Sequence, residues 1–209
     1  MDITITKVKN WILQLNEKIQ DEKMYLTELD QAIGDGDHGL NMARGFEEAV
    51  NRIDQGDFHD LGQLFKTVAM ALLSKVGGAS GPLYGTVFMK MSSTLNGKSE
   101  VSIKEFSQAL KDGLDGLKMR GKAEVGEKTM VDVWEPVVRY LLDSEKIDTK
   151  EIKSLAKMRM ESTKDLEAKK GRASYLGKRS IGHIDPGSRS SYLFFATLAD
   201  AIDQGESAE

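Results

Sequence analysis

Apolar residues return every three or four positions along almost the whole chain, and that periodicity restricts the fold more than any other feature. Val8, Trp11, Ile12, Leu15 and Ile19 make one stripe, Leu61, Leu64, Phe65, Val68 and Leu72 a second, and Ile103, Phe106, Leu110, Leu114 and Leu117 a third. Residues at these spacings share one face of an α-helix, so each stripe is a surface that has to be buried. No strand-like alternation of comparable length competes with it. Ser102 with Glu105 has the pattern of a capping box, Asp148 with Glu151 offers a second, and Gly56, Gly97 and Gly121 interrupt the stripes. Pro136 lies inside the apolar run "VDVWEPVVRYLL", where a kink is expected. These signals predict about eight helices, arranged as an all-α bundle or barrel with glycine-rich turns at helix starts. The 209 residues, 40% of them hydrophobic, supply one core, so a single domain spanning 1–209 is expected.

The charge balance, 29 basic against 33 acidic residues, advertises no nucleic-acid surface. Cysteine is absent, which removes disulfides, thiolate metal sites and cysteine nucleophiles together. The opening "MDITITKVKNWILQ" has no apolar signal region, and nowhere do eighteen or more apolar residues run together. The expectation is a soluble cytoplasmic protein with no membrane or nucleic-acid partner.

Against this background, "ELDQAIGDGDHGLNMARGF" (28–46) stands out, because Asp30, Asp35 and Asp37 crowd one glycine-rich turn. Like charges this close repel, and a structural turn needs only one such side chain. Gly34, Gly36 and Gly39 satisfy G-x-G-x-x-G, but a helix-like segment precedes them where a dinucleotide fold requires a strand. "GKS" at 97–99 has Ser92 where a phosphate-binding P-loop needs its first glycine, and no EF-hand spacing follows Asp35 and Asp37. Singly, Asp30 reads as a solvated helix residue, Asp35 as a turn residue, Asp37 as an N-cap and His38 as a helix-terminus hydrogen-bonder. Together the three carboxylates favour a hard cation such as magnesium, which takes oxygen ligands and shares them with substrate phosphates.

Three further glycine-rich stretches precede apolar helices. "SKVGGASGPLYG" has the bare backbone and the Ser80 hydroxyl of an anion site, although glycines for close helix packing explain it equally well. "RGKAEVGEKTMVDVW" and "KKGRASYLGKRSIGHIDPGSRSSYLFF" are polar and basic. Arg172 in the last could bind phosphate, while Asp185, Pro186 and Gly187 read as a turn with an N-cap. Four such turns could converge at one end of a bundle.

"LDxxIGDGDHGxNM", "GGASGPLYG", "RGKAEVGEKTMVDVWxPV" and "GRASYLGxRSIGHIDPGS", in this order and over nearly the whole chain, resemble the nucleotide-binding L subunits of dihydroxyacetone kinases. The resemblance implies an antiparallel eight-helix barrel with a nucleotide and two magnesium ions at one rim. It implies that Asp30, Asp35 and Asp37 hold the metals and that His38, Gly39, Leu40 and Asn41 adjoin the nucleotide. Ala79 and Ser80 match the phosphate loop, Gly121 and Met130 match positions around the nucleotide, and Arg172 with Asp185, Pro186 and Gly187 closes the site. Read without the resemblance, Met130 is simply a core methionine.

Members of this family are either fused to a substrate-binding K domain and use ATP, or stand beside separate K and M subunits. The length of 209 residues fits the second setting. There, bound ADP acts as a coenzyme: it becomes ATP at the expense of a phosphohistidine on the M subunit, then passes the phosphoryl group to dihydroxyacetone on the K subunit. The resemblance implies no side-chain nucleophile on this chain. Three alternatives stay open at this point: direct use of exchangeable ATP, the nucleotide-binding part of a fatty-acid kinase, and a nucleotide-sensing module that docks a transcriptional regulator.

Overall fold

The computed structural model describes residues 2–203, and in it the stripes become eight α-helices closed into a ring. They are α1 (Ile5–Ile33), α2 (His38–Gln55), α3 (Leu61–Lys75), α4 (Ser80–Thr94), α5 (Ile103–Gly121), α6 (Val131–Asp143), α7 (Thr149–Ser162) and α8 (Pro186–Asp203). Each helix packs against the next, and α8 returns to pack on α1. Six connections of four to nine residues and the longer 163–185 segment make sequential helices antiparallel neighbours. Alternate connections therefore fall at the same end of the ring, and the links α1–α2, α3–α4, α5–α6 and α7–α8 share one rim. These are the four glycine-rich stretches.

The ring is filled with side chains. Trp11 packs edge-on against Phe194 at 4.8 Å between centroids, and its indole N–H donates to the Phe194 carbonyl at 3.2 Å. Trp134 lies 4.6 Å from Phe194 and 4.8 Å from Phe195, while Phe65 stacks on Phe88 at 6.0 Å. Such pairs add about 0.5–1.5 kcal/mol each beyond the area they bury. Residues of all three stripes are buried here, with Ile103 half-buried at the edge.

Ser102 and Glu105 form the expected capping box, each side chain accepting from the other's backbone N–H. Asp148 caps α7 by accepting from Lys150 N at 2.9 Å. Its own N–H goes to the Tyr140 hydroxyl rather than to Glu151, so the second box does not form. Helix α6 continues through Pro136. One element escaped the periodicity: strands β1 (Asp2–Thr4) and β2 (Glu100–Ser102) pair antiparallel, with Ile3 opposite Val101. Three residues per strand are too few for an alternation to be read. No helix among the described residues is long and apolar enough to cross a membrane.

Candidate functional site

The acidic turn is built by two helix ends that interlock. Asp30, in the last turn of α1, is buried, and its Oδ2 accepts from the backbone N–H of Asp37 at 2.9 Å and of His38 at 3.1 Å. A carboxylate of α1 thus caps α2, and Asp37 makes no cap bond of its own although it occupies the N-cap position. A Cβ on Gly34 would lie 2.0 Å from Asp30 Oδ1, and Gly36 turns the chain at φ +74°. Only glycine accommodates both demands. Oxygens of Asp30, Asp35 and Asp37 consequently lie within 4.8 Å of one another. This all-oxygen set fits a hard divalent cation, which would relieve the repulsion between the carboxylates. Arg172 pairs with Asp35 at 3.0 Å, but its side chain is 69% exposed, so water screens the pair.

Facing the carboxylates is the start of α4. Gly78 has φ +63°, and a Cβ there would stand 3.8 Å from Asp37 Oδ1. The cap position of α4 is Ala79, whose methyl cannot accept from the first amides of the helix. An anion between these amides and a metal on the carboxylates would meet positive charge from both sides.

Behind this wall runs a chain of buried polar groups. His38 Nδ1 is 2.8 Å from Ser80 Oγ, and its Nε2 is 3.0 Å from Ser190 Oγ. Tyr84 OH lies 2.9 Å from Ser190 Oγ and 3.2 Å from Ser191 Oγ, which also accepts from Trp134 Nε1 at 3.1 Å. Burial pulls the His38 imidazole down to about 4, with Asp30 opposing, and pushes the Tyr84 phenol above its ordinary value. Both stay neutral near pH 7 and serve as hydrogen-bonding groups.

The third side comes from the α5–α6 turn. Asp132 accepts from Gly126 N and, at 2.7 Å, from Thr129 N, and burial raises its carboxyl. The fourth comes from the 163–185 connection, whose two 3₁₀ segments are Thr163–Asp165 and Arg172–Ser180. At its end Asp185 accepts from Ser188 N at 2.7 Å. It is half-buried at the cavity wall, and desolvation pushes its carboxyl up to about 7, helped by nearby Asp132.

These elements enclose a cavity of about 440 Å³, ordinary for a small-molecule site. Asp30, Asp35, Asp37, His38, Ala79, Ser80, Gly121, Met130, Arg172, Asp185, Pro186 and Gly187 line it. Gly39, Leu40 and Asn41 do not. A Cβ on Gly39 would fall 1.9 Å from the Lys23 carbonyl, so this glycine allows α1 and α2 to touch. Leu40 points outward at 53% exposure. Asn41 packs under Gly77 and accepts from Arg44, which also donates to the Lys75 carbonyl at 3.0 Å. It supports the base of the Gly77–Gly78 loop. Sequence reasoning missed Tyr84, Lys128, Ser190 and Ser191. The serine pair was detectable, because Ser190 and Ser191 stand four residues before Phe194 and Phe195 and so lie on a buried stripe. Lys128 carried no signal.

Residues 32–200 match the DAK2 domain family. The ADP-binding subunit DhaL of PEP-dependent dihydroxyacetone kinase 1 from Listeria innocua is 48% identical over 188 residues, covering 90% of this chain and 92% of the relative. The ADP-binding subunit DhaL of the PTS-dependent dihydroxyacetone kinase from Lactococcus lactis is 47% identical over 200 residues, covering 96% and 99%. The crystal structure of the dihydroxyacetone kinase from C. freundii in complex with AMP-PNP and Mg2+ superposes with a TM-score of 0.76 at 24% identity, over 96% of this chain and 34% of that one. The shared fold, the carboxylate rim and the near-complete coverage of the subunit-sized relatives lead to one assignment: the chain belongs to the DAK2 domain family and, within it, to the ADP-binding L subunits of phosphoenolpyruvate-dependent dihydroxyacetone kinases.

Proposed function

We propose that this single domain carries ADP as a resident coenzyme, with two magnesium ions held by Asp30, Asp35 and Asp37. A phosphohistidine M subunit phosphorylates the bound ADP, and the resulting ATP gives its phosphoryl group to dihydroxyacetone on a K subunit. The observation that carries the reading is the carboxylate cluster, whose oxygens lie within 4.8 Å of one another, facing the open N-terminus of α4 across a single cavity. The names of the relatives, ADP-binding subunits of PEP- or PTS-dependent kinases, agree with it. Magnesium when bound neutralises phosphate oxygens, the main requirement of phosphoryl transfer.

The residues of the chain position and neutralise. Asp30 ties the two helix ends together through Oδ2 and leaves Oδ1 for a cation. The bare loop at Gly77 and Gly78 admits phosphate to backbone amides, and Arg172 lies within reach of the same anion. Met130, packed against Gly187, together with Leu83 and Gly121 offers an apolar wall to a base. No side chain has to become a nucleophile. Both partners and the protein would share the cytoplasm.

The test loads the purified protein with labelled ADP and magnesium and supplies dihydroxyacetone, K subunit and phosphorylated M subunit. Sustained turnover with the label retained is expected. Equal turnover with ATP and K subunit alone, accompanied by loss of the label, would replace the coenzyme by exchangeable ATP.

A further inference from the structure

Lys128 is almost fully buried, at 1% exposure, yet among the described residues it forms no ion pair. Its ammonium donates instead to three backbone carbonyls: Thr163 at 2.7 Å, Leu166 at 3.2 Å and His183. A lysine has three N–H donors, and all three are used. The acceptors lie at the two ends of the connection between α7 and α8, so one side chain grips both ends of the segment 167–182. Lys128 also has φ +63°, a conformation unfavourable for a residue with a Cβ and maintained here by the surrounding bonds.

The gripped segment reaches over the site. Gly171, Arg172 and Ala173 line the cavity, and Arg172 extends to Asp35. Ala168 N donates to Ser180 Oγ within the strap, and Gly182 N to the Lys164 carbonyl and Asp185 N to Thr163 Oγ1 draw its two ends together, none of them attaching it to the α5–α6 turn. Attachment to the α5–α6 turn comes from Lys128, from Lys169 N donating to the Glu127 carbonyl at 3.1 Å and from the Lys170–Glu127 ion pair at 3.8 Å. Of these three, only Lys128 holds both ends.

We propose that Lys128 is a positioning residue: it clamps the strap to the rim so that Arg172 is held over the carboxylate turn. It acts through Arg172 and touches no reacting atom. The affinity part of this proposal rests on the nucleotide reading above; the structural part does not.

The test uses Lys128→Gly and Lys128→Asn in the full chain, since both residues tolerate left-handed backbone and remove the ammonium without adding strain. Hydrogen exchange without ligand reads the clamp directly. Exchange across 167–182 is expected to rise about tenfold or more while α2 and α3 keep wild-type protection. Calorimetry with magnesium and ADP is expected to show about tenfold weaker binding in either variant, the size of one lost charge-assisted contact. In an Arg172→Ala background the same substitutions should add less than about twofold, because the clamp then has nothing to deliver. Unchanged exchange in the strap, accelerated exchange throughout the ring, or fully additive affinity losses would each overturn the proposal. Failure of the wild-type protein to bind ADP would instead overturn the nucleotide reading and leave the exchange result to decide the clamp.

Discussion

At the scale of single residues, the cavity wall is unusual for the charges it keeps neutral. His38 is buried and held near 4, so it contributes stability above the ordinary histidine range and loses it as pH falls toward 4. Asp185 has the opposite sign. Its folded carboxyl, raised to about 7, binds a proton that the unfolded chain has already released, so its contribution fades as pH rises toward and through 7. Asp185→Asn mimics the protonated form and can still accept from Ser188 N. Urea unfolding at pH 5 and pH 8 is therefore expected to show the variant gaining stability relative to wild type at the higher pH. The His38 contribution is common to both proteins and cancels in the difference. A constant offset between the two proteins would show that water in the cavity already solvates the carboxylate.

At the scale of elements, the site depends on how closely α1 and α2 approach. Asp30 belongs to one helix and Asp37 and His38 to the other, and Gly39 sits where any Cβ would strike the Lys23 carbonyl and Thr27. Gly39→Ala is expected to lower stability by about 1–3 kcal/mol, the range for overpacking, because the obstacle is helix backbone rather than a flexible side chain. Denaturant midpoints check the stability. Magnesium–ADP titration of the same variant should show weaker binding even though Gly39 does not line the cavity, because parting the helices pulls Asp30 from the amides it caps. The same logic gives Asn41 a supporting part, one shell behind the loop it holds.

At the scale of the whole molecule, ring closure puts all four turns on one rim. The seam between α8 and α1 is fastened by Arg189, which binds Glu22 through two nitrogens at 2.8 and 2.7 Å and lies over the rings of Tyr25 and Tyr192. A ligand touching all four turns braces the folded ring and has no equivalent in the unfolded chain. At a hundredfold excess over its dissociation constant, magnesium–ADP is expected to add about 2.7 kcal/mol, or roughly 5–10 °C of melting temperature. Chelating the metal should cancel most of this shift. Asp37→Ala should also cancel it without lowering the ligand-free midpoint, because Asp37 makes no cap bond and its removal relieves repulsion. Thermal melts of the two proteins, with and without ligand and chelator, check both statements.

The features legible before folding are local ones. Apolar spacing determined the helices, Ser102 with Glu105 one of their starts, and the crowding of Asp30, Asp35 and Asp37 the place where charge had to be balanced. These features are legible because periodicity, capping and repulsion act between residues close along the chain. Whatever depends on contacts between distant segments emerges on folding. Folding took the carboxylate of Asp30 to cap another helix, set Gly39 against the Lys23 carbonyl and Asn41 under Gly77, and joined Ser190, Tyr84 and Trp134 to His38. Lys128 is the clearest case: a surface charge by composition, it becomes a buried clamp because three carbonyls from 35 to 55 residues away converge on its ammonium. No pattern within the sequence marks such a convergence, since the partners are backbone atoms that every residue carries.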